Sequence, residues 1–207
     1  MAAPVSIVPL ADLLPSGGLP LRTSHPTLAA ASRSIAAQRE ALVEQWIAWL
    51  GDRMSVSNAV PRDIIRQELS LLIDVFGSMV GPLRRETKSI WLKVTEEYGR
   101  HAAIRGLAAG EVVEELQYLR ELLIRFLAPS IAALRPRQGM ALLLRLNRLV
   151  DKGVAMAVVG YTDAVVDSIL PDAGDSSSGR RTPDPAELKQ ALTEIRAELD
   201  RTIAPAA

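Results

Sequence analysis

Residues 96–127 read EEYGRHAAIRGLAAGEVVEELQYLRELLIRFL and decide the fold. Two runs with helical periodicity lie on either side of a short turn, Gly106 to Gly110. Before the turn, Tyr98, His101 and Arg105 fall on one helix face, because residues three or four apart are neighbours on a helix. After it, apolar residues recur at the same spacing. The stretch therefore predicts two antiparallel helices.

The rest of the chain has the same helical period. Apolar residues recur at helical spacing from Thr27 to Gly51, from Pro61 to Gly81, and through a long segment after Pro136. No run alternates as a half-buried strand would. The pattern predicts an all-α bundle of about five helices plus a short C-terminal helix.

Composition divides the chain into four parts. Residues 1–26 hold five prolines and predict an extended arm, and 27–170 form the helical domain. Residues 171–185, PDAGDSSSGRRTPDP, have the composition of a flexible linker. Residues 186–204 predict a short helix that resembles a coiled-coil strand.

Two apolar surfaces predict a homodimer. Gly153, Ala157 and Gly160 on the long helix are small enough for another backbone to approach closely. The C-terminal helix is too short to be stable alone, so its apolar seam needs a partner. We expect both surfaces to form the dimer face, with the seam residues Leu188, Leu192, Ile195 and Leu199.

The charge balance and cysteine content exclude several classes of protein. The 207 residues carry 24 Lys and Arg against 24 Asp and Glu, so nothing points to nucleic acid or an anionic surface. With no cysteine there is neither a disulfide nor a thiolate metal site, which fits a reducing cytoplasm. We expect a cytoplasmic protein with no membrane span, because charged residues interrupt the most apolar helix.

The inventory of reactive residues is small. Only two histidines are present, and no phosphate loop, dinucleotide fingerprint or nucleophile elbow occurs. We therefore expect no enzyme, no catalytic residue, no cofactor and no metal site. His25 lies in the Pro-rich arm and is interpreted as a loop residue.

His101 admits three interpretations: a structural histidine with a hydrogen-bond partner, a ligand-contacting or pH-sensing group, or a haem ligand. The turn at Gly106 to Gly110 places Glu115 roughly opposite His101 on the next helix. We expect His101, Arg105, Glu115 and Arg120 to form one polar network, with Glu115 as the bridge.

The same stretch resembles the N-terminal sensor domain of stressosome co-antagonists of the RsbR type, relatives of which also precede bacterial sensor histidine kinases. The resemblance covers about residues 30–170, including the Trp-containing VEQWIAWL segment and a late tyrosine, Tyr161. The matching positions are Gly99, Arg100, His101, Ala102, Arg105, Gly110, Glu115, Leu119 and Arg120.

The resemblance implies a globin-like domain that has lost haem, forms dimers through its terminal helices and passes a signal onward. Such relatives continue into an output domain, so this chain is either a stand-alone sensor or a fragment. We expect a non-enzymatic signalling domain of the stressosome or two-component type with a protein partner or output domain. The alternative is a globin-like sensor or carrier that binds haem or another hydrophobic small molecule.

Overall fold

In a computed structural model, residues 25–53, 60–169 and 185–204 are described and contain no strand. The prediction of an all-α bundle is confirmed, and the arrangement is consistent with a globin-like bundle. Within these ranges there are seven α-helices, α1 (His25–Ala37), α2 (Arg39–Arg53), α3 (Arg62–Val80), α4 (Lys88–Ile104), α5 (Ala109–Ala132), α6 (Pro136–Ile169) and α7 (Pro185–Ile203), with a 3₁₀ turn at Pro82–Arg84.

The first predicted helix is divided in two. At Gln38 the backbone N–H donates to the carbonyl of Ile35 (3.1 Å), three residues back, so the helix tightens for one turn before α2 begins. Both α1 and α2 pack against α3 and α5. The break therefore lets two short helices cover the same pair of long ones. Helix α1 begins at His25, so this residue is helical and does not lie in a loop as predicted; its side chain lies outside the described residues.

The turn after α4 is closed by glycine. Gly106 has a positive φ of 80°, a conformation that glycine adopts without strain. The N–H of Leu107 donates to Ala102 (3.1 Å) and that of Gly106 to Ala103 (3.0 Å), which satisfies the last carbonyls of α4. Glu111 then accepts a hydrogen bond from the Ala108 N–H (2.6 Å) at the start of α5.

Helix α4 packs most extensively against α6, and their backbones touch. A Cβ on Gly99 would overlap the Ala157 carbonyl, and one on Gly160 would overlap the carbonyl of Glu96. A Cβ on Gly153 would lie 2.6 Å from the indole of Trp91. The small residues thus admit a helix of the same chain. Their assignment to a dimer face is wrong in this fold, because α4 covers them.

The seam of α7 is also interior. Its four apolar residues pack on α3 and α4 and are buried within one chain, so they too are unavailable as the predicted dimer face. The predicted linker lies outside the described residues except for Pro185, which begins α7. The predicted arm lies outside them up to residue 24, and its last two residues begin α1. None of the described helices is long and apolar enough to span a membrane.

We predict that Gly160→Ala will lower the free energy of unfolding by about 1–3 kcal/mol, because the added methyl group forces α4 and α6 apart. The matched control is Gly110→Ala in α5, where a Cβ meets nothing within 4 Å. Alanine there should stabilise the helix by up to about 1 kcal/mol. Urea unfolding of both variants measures the difference. Equal effects would contradict the backbone contact.

Candidate functional site

The interior holds six buried polar or charged residues among those described: Glu68, Thr87, Thr95, His101, Arg105 and Glu115. Each threonine hydroxyl donates to a backbone carbonyl one turn earlier in the chain, at 2.8 Å. The other four are titratable and come from three helices, α3, α4 and α5. Burying such groups costs several kcal/mol unless each has a partner, so their partners define the site.

Glu68 of α3 and His101 of α4 form the first pair. Oε1 of Glu68 lies 2.5 Å from Nδ1 of His101, and both side chains are almost wholly inaccessible to solvent (1% and 2% exposed). Glu68 occupies a core position of α3, one turn after Ile64 and one turn before Leu72. The pair therefore ties the centre of α3 to the end of α4.

Glu68 changes the protonation of His101. Burial alone lowers the pKa of the imidazole, because the charged form loses its hydration. The negative charge and hydrogen bond of Glu68, with a smaller contribution from Glu97, outweigh burial and the repulsion of Arg105. The pKa of His101 is therefore raised above its ordinary value, which favours an imidazolium–carboxylate pair.

Tyr98, Arg105 and Glu115 form the second cluster. The Arg105 guanidinium donates to both carboxylate oxygens of Glu115, at 3.1 and 2.8 Å. The Tyr98 hydroxyl donates to the same carboxylate at 2.5 Å, and Arg105 lies over the Tyr98 ring, 5.3 Å from its centroid. Helices α4 and α5 are thereby joined by a bidentate ion pair in the interior.

The surroundings of this cluster shift the pKa values of Tyr98 and Arg105. Burial and the neighbouring Glu115 carboxylate raise the pKa of Tyr98 well above its ordinary value, so the phenol stays neutral. Burial lowers the pKa of Arg105, but Tyr98 and Glu115 outweigh it and the pKa is raised. Arg105 therefore remains a cation.

An aromatic residue of α2 borders the site. The Trp46 ring lies 5.9 Å from that of Tyr98, centroid to centroid, and is fully buried. Within the described part of the chain its indole nitrogen has no hydrogen-bond partner. Trp46 is a natural fluorescent reporter of changes around Tyr98.

Helix α6 is attached to the same region. The hydroxyl of Tyr161 donates to the carbonyl of Leu107 (2.9 Å) in the turn between α4 and α5. The late tyrosine of the sequence resemblance thus anchors α6 a few residues from Arg105. This hydrogen bond connects the turn between α4 and α5 to α6.

The structure separates Arg120 from the other predicted network residues. His101, Arg105 and Glu115 are buried together, but the partly exposed Arg120 pairs with Asp151 of α6 at 2.5 Å. Glu115 does not bridge His101 and Arg120, because its oxygens are taken by Tyr98 and Arg105.

Two members of the site were missing from the prediction, Glu68 and Tyr98. Glu68 is a carboxylate at a core position of an apolar stripe, which is a signal that the sequence does contain. The site holds protons and charges in fixed positions and joins three helices. Among the described residues, no group of three or more His, Asp or Glu side chains is placed to hold a metal ion.

A comparison with protein-family models matches residues 40–173 to the RsbT co-antagonist protein rsbRD N-terminal domain. The chain belongs to this family. The match begins in α2 and contains every residue of the buried site described above, whereas α1 and α7 lie outside it. No curated protein and no solved structure matches the chain.

Membership confirms the resemblance to RsbR-type sensor domains and indicates a stressosome-type signalling domain. The RsbRD N-terminal domain is a co-antagonist family and is not a known class of enzyme. Membership does not favour the alternative, a carrier of haem or of another hydrophobic molecule.

We predict that Glu115→Ala will destabilise the protein by about 3–5 kcal/mol, because it leaves the buried Arg105 charge without its partner. The matched control is Gln117→Ala on the exposed side of the same helix, which should cost less than about 0.5 kcal/mol. Urea unfolding at pH 7 compares the two. Similar small losses would show that the ion pair is not formed.

We also predict a pH dependence that originates at His101. Because folding raises the pKa of this group, its pair with Glu68 stabilises the protein fully below the unfolded pKa of about 6.5. That stability is lost as the pH rises through the folded pKa. Unfolding free energies should therefore fall from pH 6 towards pH 9 more steeply in the wild type than in His101→Gln. Parallel profiles would exclude this role of His101.

Proposed function

We propose that the chain is a non-enzymatic signalling and dimerisation domain, which passes a change in its helical core to a protein partner or output domain. The observation that carries the proposal is the buried titratable site, because it joins α3, α4 and α5 inside the region matched to the RsbRD family. Buried ionic groups cost stability unless fully paired, so such a site suits a role in selecting between conformations.

The connection to the rest of the molecule runs through α4 and α6. His101 and Arg105 lie at the end of α4, and Tyr161 ties α6 to the turn that follows. Because the backbones touch at Gly99 and Gly160, α4 and α6 have no compressible layer between them. A change at the buried site therefore shifts α6 as a unit.

The outer face of α6 supplies the dimer surface. Val159, Val166 and Ile169 are exposed there, at spacings of seven and three, and the exposed Ala155 and Thr162 complete the seam. This is a two-heptad pattern with spacings of 4, 3, 4 and 3, as in paired helices, and four of its five core positions are β-branched. We place the homodimer contact on this face, in place of the two interior surfaces.

The balanced charge of 24 basic and 24 acidic residues supports a protein partner over nucleic acid or a membrane surface. We propose that the protein acts in the cytoplasm, and that the α6 dimer positions the partner or output domain. The stimulus then acts by changing the balance between two positions of the packed α4–α6 pair relative to the rest of the domain.

Light scattering at micromolar concentration should give about twice 22.4 kDa for the wild type. Val159→Asp should give a monomer, because it places a charge in the α6 seam. The control Gln117→Asp, on the exposed face of α5, should remain dimeric. A wild-type monomer, unchanged on concentrating the sample, would refute the dimer.

The coupling between the buried site and the dimer surface can be measured separately. If the site governs α6, His101→Gln should change the dimer dissociation constant by about fivefold or more, the lower range of allosteric coupling. Gln117→Ala, on the solvent side of α5, should leave the constant unchanged. An unaltered constant in His101→Gln would show that the site and the dimer surface are independent.

A further inference from the structure

Helix α7 binds the rest of the molecule as a ligand would. Residues 40–173 match the family, so α7 (Pro185–Ile203) lies beyond the matched region, yet its apolar side is fully covered. The groove that covers it lies between α3 and α4, both within the match. The residues that fill the groove are Leu188, Leu192, Ile195 and Leu199.

Charged residues set the direction and register of the helix in the groove. Asp74 of α3 accepts hydrogen bonds from Arg196 of α7 at 2.6 Å and from Arg39 of α2 at 3.2 Å. Lys93 of α4 pairs with Glu198 of α7 at 3.4 Å. The groove thus presents an acid on one wall and a base on the other, and α7 carries the complement of each.

The helix depends on this groove. An isolated helix of 19 residues with two heptads of apolar seam is marginal in water, so α7 gains its stability from docking. This is helix-in-groove recognition, in which anchors at i, i+4, i+7 and i+11 fill an apolar cleft. Without α7, the surface of α3 and α4 that covers its four apolar residues would be exposed to solvent.

We propose that the groove between α3 and α4 is a docking site for an amphipathic helix of a signalling partner, and that α7 occupies it in cis as a competitor. The inference rests on the proposed function, since it names the class of partner. The partner helix carries four apolar residues at spacings of 4, 3 and 4. A basic residue directly follows the third apolar residue, to meet Asp74, and an acidic residue lies two positions after the basic one, to meet Lys93.

The groove favours a partner over α7 of a second copy. The cis helix has an effective concentration in the millimolar range, so an identical helix arriving in trans at micromolar concentration is excluded. A partner with tighter contacts, or a change that weakens α7, is needed to open the site. Helix α7 therefore sets the threshold at which the partner binds.

The test uses the full chain and a fluorescent peptide of residues 185–204 as the probe. Leu192→Asp places a charge at the fully buried centre of the seam and should release α7. The matched control Gln190→Asp places the same charge on the exposed side of α7. By fluorescence anisotropy, the peptide should bind Leu192→Asp at least about tenfold more tightly than it binds the wild type or the control. A peptide that itself carries Leu192→Asp should not bind.

A second variant keeps the test valid if Leu192→Asp fails to fold. Arg196→Glu keeps the apolar seam but loses the bond to Asp74 and places a like charge beside it, so this variant should bind the peptide with intermediate affinity while circular dichroism stays helical. No binding to either variant, or equal binding to variants and wild type, would overturn the proposal.

The oligomeric state separates the remaining outcomes. A wild-type dimer that becomes monomeric in Leu192→Asp would assign the groove to a second copy and overturn the partner. A dimer that is lost in Val159→Asp but kept in Leu192→Asp supports the proposed function whatever the peptide does. The two proposals therefore fail separately.

Discussion

The contact between the backbones of α4 and α6 is the constraint on which the other features depend. Gly99 and Gly160 allow the two helices to approach until no side chain fits between them. This fixes α4 in the middle of the bundle, with α6 on one side and α3 and α5 on others. Because α4 is central, the polar residues near its end, Tyr98, His101 and Arg105, cannot reach water and must be paired inside the protein.

The pairing that results has a cost and a consequence. Replacing buried ion pairs by apolar residues is often neutral or stabilising, so stability alone does not explain Glu68 with His101 or Arg105 with Glu115. The pairs instead select one arrangement of the helices, because only one relative placement of α3, α4 and α5 satisfies all of them. Loss of the proton from His101 weakens its pair with Glu68, and under the function proposed above this gives a chain without cofactor-type motifs a means of responding to its surroundings.

Helical periodicity predicted the elements well and their faces less well. The adjacent pairs Ile64–Ile65 and Val112–Val113 show why, since one member of each is buried and spacing of apolar residues does not distinguish them. Within the site, Arg105 and Glu115 are only ten residues apart and lie on either side of one short turn. Their proximity could therefore be predicted from sequence spacing. Glu68 is 33 residues from His101, so its partner depends on how α3 packs against α4, which no local pattern records.

The two surfaces expected to bind a second copy are both interior, for the same reason. Small residues on α6 and an apolar seam on α7 each signal that a helix packs there, but the pattern does not state whether that helix belongs to the same chain. Once α4 covers one surface and α3 and α4 cover the other, the exposed apolar residues of α6 remain. These lie on the side of α6 that is opposite its close contact with α4. An assembly built on that outer face would therefore respond to any change at the buried site that displaces α4, without direct contact between the two.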